Sequence, residues 1–135
     1  MISLQELNKI CKNTLISHLD IEFTEIGAED LKARMPVNEK TVQPVKILHG
    51  GASMALIETV GSALSMIHTD TAQYNVFGIS VNGNHVKSCS DGHVTATGKF
   101  IHKGNTTQVV GVEIRNEEGE LISIGRITNI LVKKG

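Results

Sequence analysis

The carboxylate with the most unusual surroundings in this sequence is that of Glu58. It lies in the middle of the segment from His49 to His68, which is rich in Ala, Leu, Ile and Met and carries few charges. Burying a carboxylate without a partner is costly, so the simplest interpretation is that Glu58 faces solvent or an ion-pair partner. Two neighbours favour another interpretation, because Ser62 projects from the same helical face and Ala55 leaves space beside the acid. We therefore expect Glu58 to line a cavity and not a solvated surface.

Two glycines follow His49 at the start of this segment. The first amides of a helix have no acceptor within the helix, and the helix dipole is positive at that end. Gly50 and Gly51 let another molecule approach these amides, which can then stabilise negative charge on a carbonyl oxygen. Gln43, in the preceding loop, offers a further amide donor. The alternatives are that the glycines only form a tight junction and that Gln43 is a solvated loop residue.

Together these residues predict acyl transfer to water. Gln43, His49, the helix-terminal amides, Glu58 and Ser62 lie close together in sequence. As a set they supply groups that polarise a carbonyl and a carboxylate that activates water, the two parts that this reaction needs. Competing chemistries lack their motifs: the six histidines have no metal-ligand spacing, so we expect no metal site, and GxSxG, Walker and GxGxxG sequences are absent. A net charge of −1 with no basic run, and only 3% aromatic residues, argue against nucleic-acid binding.

The elements that position these residues follow from hydrophobic periodicity. Apolar spacing predicts a first helix, which begins with a capping-box pattern at Ser3 and Glu6, and a long apolar second helix. Alternating or short apolar runs separated by turn residues predict six strands. The predicted helices are Ser3–His18 and the segment that follows His49; the predicted strands are Ile21–Ile26, Leu31–Val37, Val76–Val86, Val94–His102, Thr107–Arg115 and Leu121–Val132.

The length of 135 residues suits one domain spanning residues 1–135. Its class is α+β, since an antiparallel six-stranded sheet can bury the apolar helix only by curling around it. Cys11 and Cys89 lie far apart and are expected to be reduced thiols. No stretch is expected to span a membrane, and no signal peptide is recognised at the N-terminus, so we expect a cytoplasmic protein.

Several of these motifs, taken together, resemble the hotdog-fold thioesterases. The similar motifs are Gln43-Pro44, Leu48 to Ser53, Glu58, Gly61-Ser62, and the stretch from Gly78 to Ser88. The branch is the one that contains phenylacetate-pathway thioesterases and menaquinone-pathway 1,4-dihydroxy-2-naphthoyl-CoA thioesterases. The resemblance implies a curved antiparallel sheet wrapped around one long central helix. It also implies a homodimer, commonly assembled into a homotetramer, with active sites at the dimer interface.

The resemblance implies roles for individual residues. Glu58 would act on an acyl group held by amides of the other subunit, with the Gly50 amide as the oxyanion donor. Gln43 and His49 would position or polarise the thioester, and Ser62 would orient the water. Whether Glu58 is a general base or a nucleophile that forms an anhydride stays open.

The resemblance also implies a binding site for coenzyme A. No separate cofactor is expected, because coenzyme A is part of the substrate. It would involve the strand residues Asn82, His85 and Ser88, and the turn residues Lys103, Gly104 and Asn105. Lys103 is the expected partner of a phosphate group. The alternatives are that Lys103 is a solvated turn residue and that His85 is a strand histidine with a structural partner.

The type of the helix carboxylate bears on the substrate. Phenylacetate-pathway members use Asp, whereas this chain has Glu58, which favours the group that acts on 1,4-dihydroxy-2-naphthoyl-CoA and 4-hydroxybenzoyl-CoA. We therefore expect a thioesterase that prefers an aromatic acyl-CoA. The alternatives are a hotdog dehydratase acting on an enoyl or 3-hydroxyacyl thioester, and an acyl-CoA-binding protein without catalysis.

Overall fold

The computed structural model describes residues 1–135 and contains three helices and six strands. Their bounds are α1 (Leu4–Ile10), α2 (Leu15–His18), β1 (Glu22–Ile26), β2 (Asp30–Pro36), α3 (Gly50–Ile67), β3 (Tyr74–His85), β4 (His93–Lys103), β5 (Thr107–Arg115) and β6 (Leu121–Lys133). The strands form one sheet in the order β1-β2-β4-β5-β6-β3, and all neighbours are antiparallel. The predicted α+β class and six-stranded sheet are confirmed.

Helix α3 packs against five of the six strands, from β2 through β4, β5 and β6 to β3. Neighbouring strands lie about 4.8 Å apart, so one helix of about 10 Å diameter reaches five of them only if the sheet curves around it. The side chains of α3 that face the sheet are small or aliphatic and are buried: Ala52, Ser53, Leu56, Ile57, Val60, Gly61, Leu64 and Ser65. The opposite face of α3 is only partly covered within one chain.

Helix α3 also corrects one expectation from the sequence. By length and composition alone it could cross a membrane, because its 18 residues have a mean hydropathy of 1.2. Half of that window is buried within the chain, however. The central helix of a curved sheet needs the same apolar composition, since it meets side chains from the sheet on much of its circumference.

The N-terminal segment is two short helices, not the single helix predicted from Ser3 to His18. The capping box at Ser3 is present, with Glu6 as its partner. The helix stops because Asn13 takes a left-handed conformation with φ of 60°, and the Thr14 side chain then caps α2. Apolar periodicity continues across this break, so it could not reveal the turn.

The strand bounds agree with the prediction to within a few residues. The main difference is that β3 begins at Tyr74, two residues earlier than predicted. Pro36 ends β2, which suits a residue that cannot donate a hydrogen bond to a sheet. Strand β3 is 12 residues long and lies at one edge of the sheet, where it pairs with β6 alone.

Close packing of α3 on the sheet depends on Gly61. A Cβ atom at this position would lie 2.0 Å from Cγ2 of Ile127 in β6. We predict that Gly61→Val lowers the free energy of unfolding by about 2–3 kcal/mol, because the helix must move away from the sheet. Urea denaturation followed by circular dichroism measures this. In an Ile127→Ala background the loss should shrink; an undiminished loss would show that this contact is not the cause.

Candidate active site

Glu58 lies on the partly covered face of α3. Its side chain is exposed and makes no hydrogen bond or ion pair within the chain. It lines a cavity of about 870 Å³ between α3, the two N-terminal helices and the start of β3. Twelve of the 20 residues around this cavity are hydrophobic, among them Phe23, Met54 and Met66. The acid therefore stands at the side of a largely apolar cavity, as expected from the sequence, and not in an ion pair.

Ser62 lies one helical turn beyond Glu58 and lines the same cavity. Its hydroxyl makes a long hydrogen bond of 3.5 Å to Oδ1 of Asn129. Asn129 is fully buried on β6, and its amide nitrogen donates to the Gly61 carbonyl at 3.2 Å and to Oγ of Ser65 at 2.8 Å. Asn129 was not among the residues predicted from the sequence, although an amide at an inward-facing position of an apolar strand is a usable signal.

The N-terminus of α3 leaves one amide free. The Nδ1 atom of His49 accepts a hydrogen bond of 2.7 Å from the Gly51 amide. The amides of Ala52 and Ser53 bond to the His49 carbonyl at 3.0 and 3.2 Å. Only the Gly50 N–H, among these first amides, has no acceptor within the chain. The imidazole of His49 thus has a capping role that the sequence did not predict, and this cap leaves Gly50 as the donor available to a ligand.

A second cavity, of about 340 Å³, collects four of the predicted site residues: Gln43, Gly50, His85 and Ser88. The His85 ring lies directly over Gly50, since a Cβ atom there would be 2.8 Å from Nε2 of that ring. In Gln43 the Oε1 atom accepts from the Val45 amide at 2.6 Å, which leaves the side-chain NH₂ group free to donate. The Gly50 N–H and the Gln43 amide thus offer donors to this cavity, the arrangement that a polarised carbonyl needs.

Ser123 is a second residue of the site that was not predicted from the sequence. It is fully buried on β6, and its hydroxyl lies 2.8 Å from Nδ1 of His85. Which of the two atoms donates depends on the tautomer of His85. In either tautomer this contact holds the ring with its Nε2 atom facing Gly50.

The two cavities are separate within one chain. Glu58 follows Gly50 by eight residues of a continuous helix, which places them about 12 Å apart along the axis. One carbonyl group cannot reach both. A single chain therefore assembles the donors in one place and the carboxylate with Ser62 in another.

The predicted coenzyme A residues are also divided. His85 and Ser88 line the smaller cavity, whereas Asn82 faces a third cavity of about 660 Å³ on the outer side of the sheet. The turn that contains Lys103, Gly104 and Asn105 joins β4 to β5 at the C-terminal end of α3. That end is about 25 Å from Gly50, given the 18 residues of the helix.

Lys103 has partners of its own within the chain. Its ammonium group lies 3.3 Å from Nδ1 of His68, 3.5 Å from Glu29 and 5.2 Å from the centre of the Phe100 ring. Burial, with the nearby charge of Lys103, lowers the pKa of His68. His68 is therefore neutral at pH 7, and its Nδ1 atom accepts from Lys103. A phosphate group would have to compete with these contacts.

Neither cysteine is an alternative nucleophile. Both thiols are free and buried, and burial raises the pKa of Cys11 and of Cys89. Cysteine reacts as the thiolate, which these surroundings disfavour. No three His, Cys, Asp or Glu side chains lie close enough together to hold a metal ion.

Comparison with known proteins agrees with this chemistry. Residues 46–123 match the family model described as "Thioesterase superfamily". A putative esterase of Vibrio cholerae is 44% identical over 98% of this chain and 87% of its own length. The 1,4-dihydroxy-2-naphthoyl-CoA hydrolase of Escherichia coli is 39% identical over 97% of this chain and 96% of its own.

The fold is also that of a solved thioesterase. The crystal structure of a variant thioesterase from Pseudomonas aeruginosa superposes with a TM-score of 0.97 at 38% identity, covering 99% of this chain and 96% of that one. The hotdog architecture expected from the sequence is therefore confirmed, and so is thioester hydrolysis as the class of activity. The chain belongs to the thioesterase superfamily.

Proposed function

We propose that this protein hydrolyses an acyl-CoA with an aromatic acyl group, in an active site formed by two copies of the chain. The observation that carries the proposal is the separation of two unpartnered groups on one helix. The Gly50 N–H has no acceptor, the Glu58 carboxylate has no partner, and about 12 Å of helix lies between them. A second copy in antiparallel orientation can bring one group of each chain together.

The free edge of β3 supports this assembly. A long unpaired edge is a template for pairing with another strand, and here Phe77 and Ile79 are exposed beside it. Two residues of α3 lie next to this strand: Glu58 is beside Gly78, and Gly50 is beside His85. Antiparallel pairing of β3 with its own copy, about a two-fold axis near Asn82, would place Gly78 opposite the second copy's His85. Glu58 would then face Gly50 of that copy.

Each group has a defined part in the proposed reaction. The Gly50 N–H and the Gln43 amide hold the thioester oxygen and stabilise its negative charge as the tetrahedral intermediate forms. In the general-base route Glu58 takes a proton from the attacking water and passes it to the departing sulfur. In the nucleophilic route Glu58 attacks the thioester carbon and water then cleaves the anhydride. Both routes need the same arrangement.

The coenzyme A portion would be held by residues of more than one chain. His85 and Ser88 are placed to contact the pantetheine arm beside Gly50. Lys103, Gly104 and Asn105 lie too far from the smaller cavity of the same chain, so a phosphate contact from this turn requires another copy. Ile101 and Ile124 are exposed near the third cavity, which Asn82 lines, and suggest a contact between two dimers that would make a tetramer.

The acyl group is proposed to occupy the larger cavity, beside Glu58. Its volume of about 870 Å³ and its largely apolar walls suit a flat aromatic group. The name of the Escherichia coli relative, a 1,4-dihydroxy-2-naphthoyl-CoA hydrolase, supports the same substrate class. The free thiols and the coenzyme A substrate favour action in the cytoplasm.

The role of Glu58 is tested by Glu58→Gln, which keeps the shape of the side chain and removes its basicity. We expect kcat/KM for benzoyl-CoA to fall at least about 100-fold, because a general base or a nucleophile is lost. Release of free thiol measures the rate. Glu22→Gln on the exposed face of β1 is the matched control and should leave the rate unchanged. Near-normal turnover by Glu58→Gln would overturn the proposed mechanism.

The acyl preference is tested with a panel of thioesters. We expect kcat/KM for 1,4-dihydroxy-2-naphthoyl-CoA and benzoyl-CoA to exceed that for hexanoyl-CoA about tenfold or more, since a flat ring fills the cavity better than a flexible chain. We also expect no hydration of crotonyl-CoA, which a dehydratase would catalyse. A preference for the straight chain would contradict the aromatic assignment, and tight binding without turnover would make the protein an acyl-CoA carrier.

A further inference from the structure

The buried amide of Asn129 has only one possible orientation. Its nitrogen donates to the carbonyl of Gly61, which can only accept a hydrogen bond, and also to Oγ of Ser65. With both N–H groups directed at α3 in this way, Oδ1 must face Ser62. The orientation of the amide is thus fixed by its partners.

This orientation dictates how the Ser62 hydroxyl is used. Oδ1 is an acceptor, so the hydroxyl hydrogen of Ser62 points toward Asn129 and away from the cavity. The oxygen of Ser62 then presents its lone pairs to any water in the cavity. Without Asn129 the hydroxyl could rotate and donate to that water or to the Glu58 carboxylate.

Glu58 and Asn129 approach each other around Gly78. A Cβ atom at Gly78 would lie 3.1 Å from Oε2 of Glu58 and 3.6 Å from Oδ1 of Asn129. Glu58 and Ser62 are one helical turn apart and line the same cavity. A water molecule held between them meets two acceptors, one for each of its hydrogens, and its own lone pair is left free.

We propose that Asn129 is a positioning residue for the hydrolytic water, acting through Ser62, which it keeps as an acceptor. This inference rests on the proposed function, and it concerns the general-base route. The water gives one proton to Glu58 and its oxygen forms a bond to the thioester carbon. The carbon–sulfur bond then breaks, the proton passes from Glu58 to the sulfur, and the products are a carboxylic acid and a thiol.

The sheet keeps this arrangement rigid. Gly61 brings the α3 backbone so close to Ile127 that no side chain fits between them, and Asn129 bonds to the same turn of the helix. The rotation of α3 about its axis, and with it the direction of Ser62, is fixed by these contacts. The hydroxyl is therefore oriented before substrate binds, which is the condition for efficient positioning.

The test is a double-mutant cycle between Asn129→Ala and Ser62→Ala. Each variant alone should lower kcat about tenfold with KM unchanged, the effect of one hydrogen bond lost from the transition state. The double variant should be no slower than either single variant, because Asn129 acts only through Ser62. A residue that merely supports the fold would give additive losses, near 100-fold in the double variant.

Ser65→Ala is the matched control: it removes a partner of Asn129 away from the cavity, while the Gly61 carbonyl, which can only accept, still holds the amide in its orientation. It should lower stability in urea yet keep kcat within about twofold of the wild-type value. Should Asn129→Ala fail to fold, Asn129→Val replaces it in the cycle, because Val has no acceptor for the Ser62 hydroxyl and suits a strand.

The outcomes separate this inference from the proposed function. If Glu58→Gln is inactive while the cycle is additive, or while Ser65→Ala is as slow as Asn129→Ala, the positioning role is wrong and the thioesterase mechanism stands. If Glu58→Gln is active, the proposed mechanism fails first. A loss that appears in KM and not in kcat would also overturn the role of Asn129.

Discussion

The rigidity of α3 keeps Gly50 and Glu58 apart within one chain. Gly50 and Glu58 belong to the same uninterrupted α3, and a helix cannot bend back to bring two of its own residues together. The sheet holds α3 at close range through Gly61, so the helix cannot shift to relieve the separation. Each group is thus presented to the surroundings with fixed geometry, and each lacks a partner inside the chain. The proposed two-copy site is the arrangement that uses both.

Hydrogen bonds around Gly50 and around Ser62 use up the neighbouring polar atoms and leave one atom at each place free to bind a ligand. His49 caps the Gly51 amide, and its carbonyl accepts from Ala52 and Ser53, which leaves the Gly50 N–H available. Oδ1 of Asn129 accepts the hydroxyl hydrogen of Ser62, which leaves the Ser62 oxygen available as an acceptor. In both places hydrogen bonds to buried or capped partners decide the direction of the remaining donor or acceptor. Such preorganisation lets the groups stabilise charge without reorienting when substrate reacts.

Much of this architecture could be predicted from the sequence because its signals are local. An acid within an apolar segment identified Glu58, and paired glycines identified the end of the helix that offers free amides. The alternation of side chains predicted the bounds of five strands closely, and the start of β3 to within two residues. The resemblance to hotdog thioesterases supplied what local patterns could not, namely a curved sheet around the helix, and the structure and the relatives confirm it.

Other features were beyond the sequence because they arise from contacts between distant segments. The break at Asn13 depends on one left-handed residue within a continuous apolar pattern. Ser123 contacts His85, and Asn129 contacts α3, only because the fold places β6 beside β3 and against α3. The resemblance to hotdog thioesterases also grouped Lys103 with the coenzyme A residues, whereas the fold places it at the far end of α3 against His68 and Glu29. Its proposed role therefore depends on how copies assemble.

The proposed active site takes its donors from one copy of the chain and its carboxylate from another. The most direct test is to mix two inactive chains, Glu58→Gln and the double variant Gln43→Ala, His85→Ala, and to let them exchange subunits. Half of the dimers then combine the two chains, and one of the two sites in each has all of its groups intact. We expect recovery to about a quarter of the wild-type rate per chain. A mixture no more active than its separate components would contradict it.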